Sequence, residues 1–349
     1  MNVTIPNSID EVTPQWLASV TGWSIDSMAV EQVGVGVGVS SALYRVTLTG
    51  HGCPSSVIVK LPALDEAAVF TCTMLRMYIR EVEFFKTFAA ESPIRVPELY
   101  FGTVDEETSK FILVMEDFKD LRSVDQVTGM EVGDAERTVD ALAQWHATWW
   151  GRADTLAEAG ITMSLSDPIY HAVLPAIFAE GWEKLTSEVD LPASILAVGP
   201  RWVDALPGML TRLATAPTAM LHGDYRADNI FFAADGSLAL LDFQIIGTGT
   251  AAYDLAYFVT QSLEADVAAG QERVLFDRWV AALHAAGVPV DETGRLWEDY
   301  RLAALFCLVY PVVASRGMDL ADPRQRALLE TMSARLGRAI DHLDLAQLI

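Results

Sequence analysis

Asp224, Asn229 and Asp242 are the residues whose types and spacing point most directly to chemistry. The first two stand five apart in Leu221-His222-Gly223-Asp224-Tyr225-Arg226-Ala227-Asp228-Asn229, and Asp242 follows thirteen residues later in Leu240-Leu241-Asp242-Phe243-Gln244. Between them, Ile230-Phe231-Phe232, the Asp235-Gly236 pair and Ser237 to Leu241 read as strand, tight turn and strand. A hairpin of this length returns the chain. Two carboxylates and an amide oxygen can then converge on one point. Hard oxygen ligands of this kind suit Mg²⁺ held between protein and phosphates. The remaining carboxylate can orient and deprotonate a hydroxyl.

A second candidate lies upstream. Gly34-Val35-Gly36-Val37-Gly38-Val39-Ser40-Ser41 precedes the first strong strand pair. Glycines let backbone amides approach phosphate oxygens with no Cβ in the way. Gly34, Gly36 and Gly38 are therefore candidate phosphate contacts, with Ser40 and Ser41 placed to add hydroxyl donors. A glycine-rich hairpin with no ligand is the alternative for this stretch alone.

The order of these motifs resembles the aminoglycoside phosphotransferase/choline kinase superfamily, the small-molecule branch of the protein-kinase-like fold. HGDYRADN followed by DFQ is most similar to two subgroups. One is the CHK (choline/ecdysteroid-kinase-like) family, where the Gln after Asp-Phe recurs. The other comprises kinase-like domains that accompany acyl-CoA dehydrogenases, where HGDYR recurs. Protein kinases carry related chemistry as HRD and DFG. Here Gly223 replaces the arginine and Gln244 the glycine, which points away from protein substrates and activation-loop switching.

The resemblance implies an ATP- and Mg²⁺-dependent kinase acting on a small-molecule alcohol. It implies Asp224 as base and Asn229 and Asp242 as metal ligands. It makes Lys60 the phosphate-gripping lysine, with an acid on the next helix as partner. Glu81 fits the E-x-x-F pattern better than Glu83. Val114-Met115-Glu116-Asp117-Phe118 is similar to the adenine hinge, where the backbones of Glu116 and Phe118 would serve. Arg226 stands two after Asp224, where protein kinases place a lysine. It would either neutralise the transferring phosphoryl group or pair with an acid such as Asp228. His146, in Leu142-Ala143-Gln144-Trp145-His146-Ala147, and His222 read as structural. Asp254 reads as a helix cap that also braces the catalytic loop.

The elements that must position these residues follow from the pattern along the chain. Thr13 and Pro14 mark a helix start within an N-terminal extension, residues 1–24. Residues 25–118 read as a β-rich nucleotide-binding lobe, with strands at Leu43–Leu48, Ser56–Leu61 and Phe111–Met115 and a helix at Leu75–Ala90. Residues 119–349 read as a larger helical lobe carrying the catalytic loop and acceptor site, with a long helix at Asp134–Trp150 and only the Asp-Gly hairpin interrupting the helices. The expected fold is α+β: a bilobal protein-kinase-like plan with a small β-rich N-lobe and a larger helical C-lobe.

Composition bounds the function. At 349 residues and 51% hydrophobic, the chain supports large cores. The longest apolar run, Leu302 to Ala314, is too short to span a bilayer and reads as a buried helix broken at Pro311. No signal peptide is visible in the first residues. Three scattered cysteines form no disulfide framework, which fits the cytoplasm. A net charge of −23 disfavours nucleic acid and anionic membranes as partners. It leans toward a neutral or cationic acceptor, although solubility alone also explains it. Trp149, Trp150, Tyr170, Phe178 and Trp182 suggest a bulky acceptor if they line a pocket, and a core if they do not. A nucleotide-binding pseudokinase with a regulatory role is the alternative to an enzyme, against which the intact Lys60, Asp224, Asn229 and Asp242 argue. The pattern leaves oligomeric state open.

Overall fold

The computed structural model describes residues 4–34, 40–158, 160, 162–215, 217–264, 267 and 270–349. It divides into two compact units, one of residues 1–91 and 96–121, the other of 92–95 and 122–349.

The first unit is a five-stranded antiparallel sheet in the order β1-β2-β3-β5-β4, with β1 Ser24–Val33, β2 Ser41–His51, β3 Ser56–Pro62, β4 Leu99–Asp105 and β5 Lys110–Glu116. Side chains alternate across a strand. Ala42, Tyr44, Val46 and Leu48 of β2 and Val57, Val59 and Leu61 of β3 thus share one buried face. Helix α1, Pro14–Thr21, adds Leu17 to this core. Thr13 caps it, accepting from the Trp16 N–H at 3.1 Å, and Gly22 closes it in the left-handed conformation.

The other face of β3 carries Lys60 and meets helix α3. The helix expected over Leu75–Ala90 is α3, Met77–Thr87, and a further helix, α2 Glu66–Met74, precedes it, the two separated at Leu75 and Arg76, the latter at φ 53°. Asp65 starts α2 by accepting from the Ala68 N–H. Thr71 and Thr73 bond back to the carbonyls of Ala67 and Val69, a habit that weakens a helix end. In α3, Tyr78 stacks on Phe111 of β5 with centroids 4.4 Å apart, while Phe84 and Phe85 are buried.

The second unit is mainly helical: α4 Val132–Thr148, α5 Ala153–Glu158, α6 Pro168–Glu188, α7 Ala193–Leu213, α8 Ala252–Ser262, α9 Gln271–Ala285, α10 Leu296–Phe306, α11 Val309–Gly317 and α12 Pro323–His342. Trp145, Trp149, Trp202 and Trp279 lie fully buried among them. Phe178 stacks on Trp202 at 4.2 Å, so Trp149 and Phe178 are core residues. The apolar run Leu302–Ala314 breaks at Cys307 and Leu308. Pro311 falls in the first turn of α11, where no helical N–H is needed.

The hairpin is joined by more strand than the periodicity predicts. β9 Ile230–Phe232 pairs with β10 Leu238–Leu240, and β6 Arg122–Ser123 extends that sheet. A second small sheet combines β7 Met163–Ser164, β8 Ala219–Leu221 and β11 Gly247–Gly249. Pairing Gly247 of β11 with Leu221 of β8 holds both ends of the hairpin segment together.

Candidate active site

The catalytic-loop candidates are assembled by backbone pairing first. Ile230 pairs with Leu240, and the Leu241 N–H donates to the Asn229 carbonyl at 3.0 Å. Asp242 therefore follows directly on the residue bonded to Asn229. His222 adds a second tie, donating from Nε2 to the Leu241 carbonyl at 3.0 Å, and it packs against Trp145, Tyr225 and Phe243.

Asp224 receives several donors. Asn229 Nδ2 reaches its carboxylate at 2.8 Å and its carbonyl at 2.9 Å. Arg226 Nε lies 3.2 Å from the carboxylate. Arg226 Nη1 also donates to Asp228 at 2.7 Å, so this arginine bridges two acids. Burial acts to lower the Arg226 pKa. Neighbouring charge, led by Asp224, outweighs it and holds the guanidinium above its usual range. Because the Asn229 NH₂ is committed to Asp224, its Oδ1 is the atom with metal-ligand chemistry. Asp242 adopts φ 65°, a strained backbone for a side chain other than glycine, and accepts a long 3.4 Å bond from the Gln244 N–H. The Asn229 Oδ1 and the Asp242 carboxylate are both hard oxygen donors, the ligand chemistry that Mg²⁺ takes.

The backbone beneath the loop is held by Asp254. Its Oδ2 accepts from the His222 N–H at 2.7 Å and its Oδ1 from the Gly223 N–H at 2.8 Å. Asp254 does not cap α8: it sits inside the first turn, and no side-chain cap is made there. Trp279 Nε1 donates to His146 Nδ1, so His146 Nε2 carries the proton and donates to Asp254 at 3.2 Å. His146 is thus a buried brace. Gly223 has φ 84°, and a Cβ there would stand 2.4 Å from the Ile245 carbonyl. Only glycine fits where protein kinases place arginine.

Three tyrosines near this loop carried no signal in the sequence. Tyr310 donates to the Gly223 carbonyl and accepts from Tyr253 at 2.6 Å. Tyr257 stacks on Tyr310 with centroids 3.9 Å apart. Burial pushes the Tyr257 hydroxyl well above the usual tyrosine range, and the Asp224 charge adds to it.

The nucleotide candidates lie in the first unit. Lys60 Nζ sits 2.7 Å from Glu81 Oε1, with side chains 5% and 1% exposed. Glu83 instead bonds Lys86 at the surface. Gly34 has φ 67°, while Gly36 and Gly38 fall outside the described residues. The Ser40 carbonyl accepts from the Tyr78 hydroxyl at 3.0 Å, and Ser41 opens β2 opposite Pro62. In the segment expected to be the hinge, the Glu116 N–H donates to the Glu98 carbonyl at 2.9 Å. Asp117 is held by Arg45 at 2.8 Å and by Ser56 at 2.8 Å, and Phe118 is buried. Among the described residues no helix is long and apolar enough to cross a membrane.

Comparison with known proteins follows the same lines. The family model described as APH, phosphotransferase enzyme family, matches residues 31–297. A macrolide 2′-phosphotransferase from Brachybacterium faecium is 17% identical, with a TM-score of 0.52 over 95% of this chain and 98% of that one. An aminoglycoside 2′-phosphotransferase-IIIa in its GDP complex is 14% identical, with a TM-score of 0.56 over 95% and 99%. A choline/ethanolamine kinase family protein from Mesorhizobium loti is 16% identical, with a TM-score of 0.51 over 98% and 99%. At such identities the likeness is one of fold. The chain matches no curated protein sequence.

Proposed function

Because this chain belongs to the phosphotransferase enzyme family and is a small-molecule kinase, we propose that it transfers the γ-phosphoryl group of ATP to the hydroxyl of a bulky neutral or cationic alcohol. The observation that carries this reading is the Asp224 carboxylate, held by Asn229 and Arg226 on a loop whose backbone Asp254 fixes.

In this reading the acceptor hydroxyl gives its proton to Asp224 as its oxygen attacks the γ-phosphorus. The bond from that phosphorus to the bridging oxygen breaks, and ADP leaves. Arg226 offsets charge on the transferring group while it orients Asp224. Lys60, braced by Glu81, grips the α- and β-phosphates. Gly34, Gly36, Gly38, Ser40 and Ser41 line the phosphate loop, and the backbones of Glu116 and Phe118 hold adenine. Asn229 and Asp242 would hold Mg²⁺, which when bound neutralises phosphate charge. Catalysis is then mainly positioning and electrostatics.

Residues 25–118 serve as the nucleotide-binding lobe and 119–349 as the catalytic and acceptor lobe, with 1–24 an N-terminal extension. Gln244 after Asp242-Phe243 supports placement with the CHK subgroup. The net charge of −23 supports a neutral or cationic acceptor over a polyanion. Three cysteines, none of them in a disulfide, support a cytoplasmic setting. Screening the purified protein for ATP consumption against steroids, macrolides, aminoglycosides, choline and hydroxyacyl thioesters tests the proposal. Nucleotide binding with no consumption by any of them would instead indicate a regulatory pseudokinase.

A further inference from the structure

Arg335 lies on α12, beyond the residues that the family model matches. Its side chain is buried, and its partners are backbone carbonyls. Nη1 donates to the Gln126 carbonyl at 2.5 Å and to the Gln261 carbonyl at 2.7 Å, and Nη2 donates to the Val127 carbonyl at 3.2 Å. A buried guanidinium needs such compensation. Gln261 stands one residue from the end of α8, where the helix dipole favours a cation. Gly129, at φ 87°, leaves the room: a Cβ there would stand 2.5 Å from Arg335 Nη2 and 2.6 Å from the Glu264 N.

The two segments that Arg335 joins are those from which the catalytic loop hangs. The Gln126 N–H donates to Asp228 Oδ1 at 2.9 Å, and the other oxygen of Asp228 takes Arg226 at 2.7 Å. Ser262, at the end of α8, accepts from the Ala227 N–H at 3.1 Å. The Gln126 side chain ties the two segments directly, donating to the Gln261 carbonyl at 2.7 Å.

We propose that Arg335 is a positioning residue for phosphoryl transfer, clamping the Gln126–Val127 turn to the end of α8 and thereby fixing Asp228, and through it Arg226, in the catalytic loop. The proposal rests on the kinase reading for its effect on rate, but the clamp itself is testable without activity. Loss of the guanidinium fork frees the turn, Asp228 loses its N–H donor, and Arg226 is no longer held against Asp224.

The test uses the full chain with Arg335→Lys, which keeps the charge but not the fork, and Arg335→Met. Hydrogen–deuterium exchange reads the clamp. Amides of residues 222–230 should exchange about tenfold faster or more in either variant, the loss of a hydrogen bond to a charged group being of that order, while β2 and β3 exchange as in wild type. Unchanged exchange at 222–230 in a folded variant would overturn the proposal, and Arg335→Lys keeps it decidable if Arg335→Met does not fold. Basal Mg²⁺·ATP hydrolysis, with water as acceptor, reads the consequence. The kcat of Arg335→Lys should fall about tenfold with KM for ATP little changed, and the double variant with Arg226→Lys should be no slower than Arg226→Lys alone, since Arg335 acts through Arg226. Independent, multiplying losses would contradict it. Wild-type protein with no hydrolysis would count against the kinase reading and leave the exchange result to decide the clamp.

Discussion

Asn229 Nδ2 donates to the Asp224 carboxylate at 2.8 Å and to the Asp224 carbonyl at 2.9 Å. The proposed metal ligand and the proposed base are therefore one hydrogen-bonded unit, and removing the Asn229 amide also releases the base. Asn229→Ala should lower kcat by about ten- to a hundredfold through the lost bond to a charged group, in addition to weakening Mg²⁺-dependent nucleotide binding. A variant impaired only in metal response, with normal turnover at saturating Mg²⁺, would show that the bond to Asp224 does not matter.

Lys60 and Glu81 form a nearly water-free ion pair. Removing one partner of such a pair is costly, whereas replacing both by apolar groups often is not. Lys60→Met should destabilise the protein by about 3–5 kcal/mol in urea unfolding. Adding Glu81→Leu should restore most of that loss while ATP-induced stabilisation stays absent. Additive losses in the double variant would mean that each side chain is held by separate contacts.

Asp242 holds a left-handed backbone at φ 65° that glycine adopts without strain. Asp242→Gly should thus be no less stable than wild type, yet should lose the extra thermal stabilisation that Mg²⁺ adds to ATP. If the variant kept a normal Mg²⁺-dependent shift with ATP, the metal site would lie elsewhere.

What the sequence made legible was what local chemistry encodes. The Asp-Gly turn flanked by Ile230–Phe232 and Ser237–Leu241 forecast the hairpin, and with it the return of the chain that bonds Leu241 to Asn229. Thr13 and Pro14 forecast α1. Strands of two or three residues, such as Met163–Ser164 and Gly247–Gly249, carry no period to detect, so the second small sheet went unseen. Helix α2 carries no such signal, since of its residues only Cys72 is buried and no apolar face marks it. Contacts made across long separations were equally silent. Tyr310 reaches Gly223 from 87 residues away, and Arg335 reaches Gln126 from 209. The identity of Gly223, noted as a departure from protein kinases, acquires its cause only from the nearby Ile245 carbonyl.

The central claim is that Asp224 accepts a proton from a small-molecule alcohol during phosphoryl transfer from ATP. Its most direct test is label transfer from γ-labelled ATP by wild type and Asp224→Asn, against the alcohol panel with a generic protein substrate as control. The account predicts label on a neutral or cationic small alcohol with wild type. It predicts a loss of about 10²- to 10⁴-fold in Asp224→Asn, the range for removing a general base, with ATP binding nearly intact. Label chiefly on the protein substrate, or turnover by Asp224→Asn within a few-fold of wild type, would contradict it.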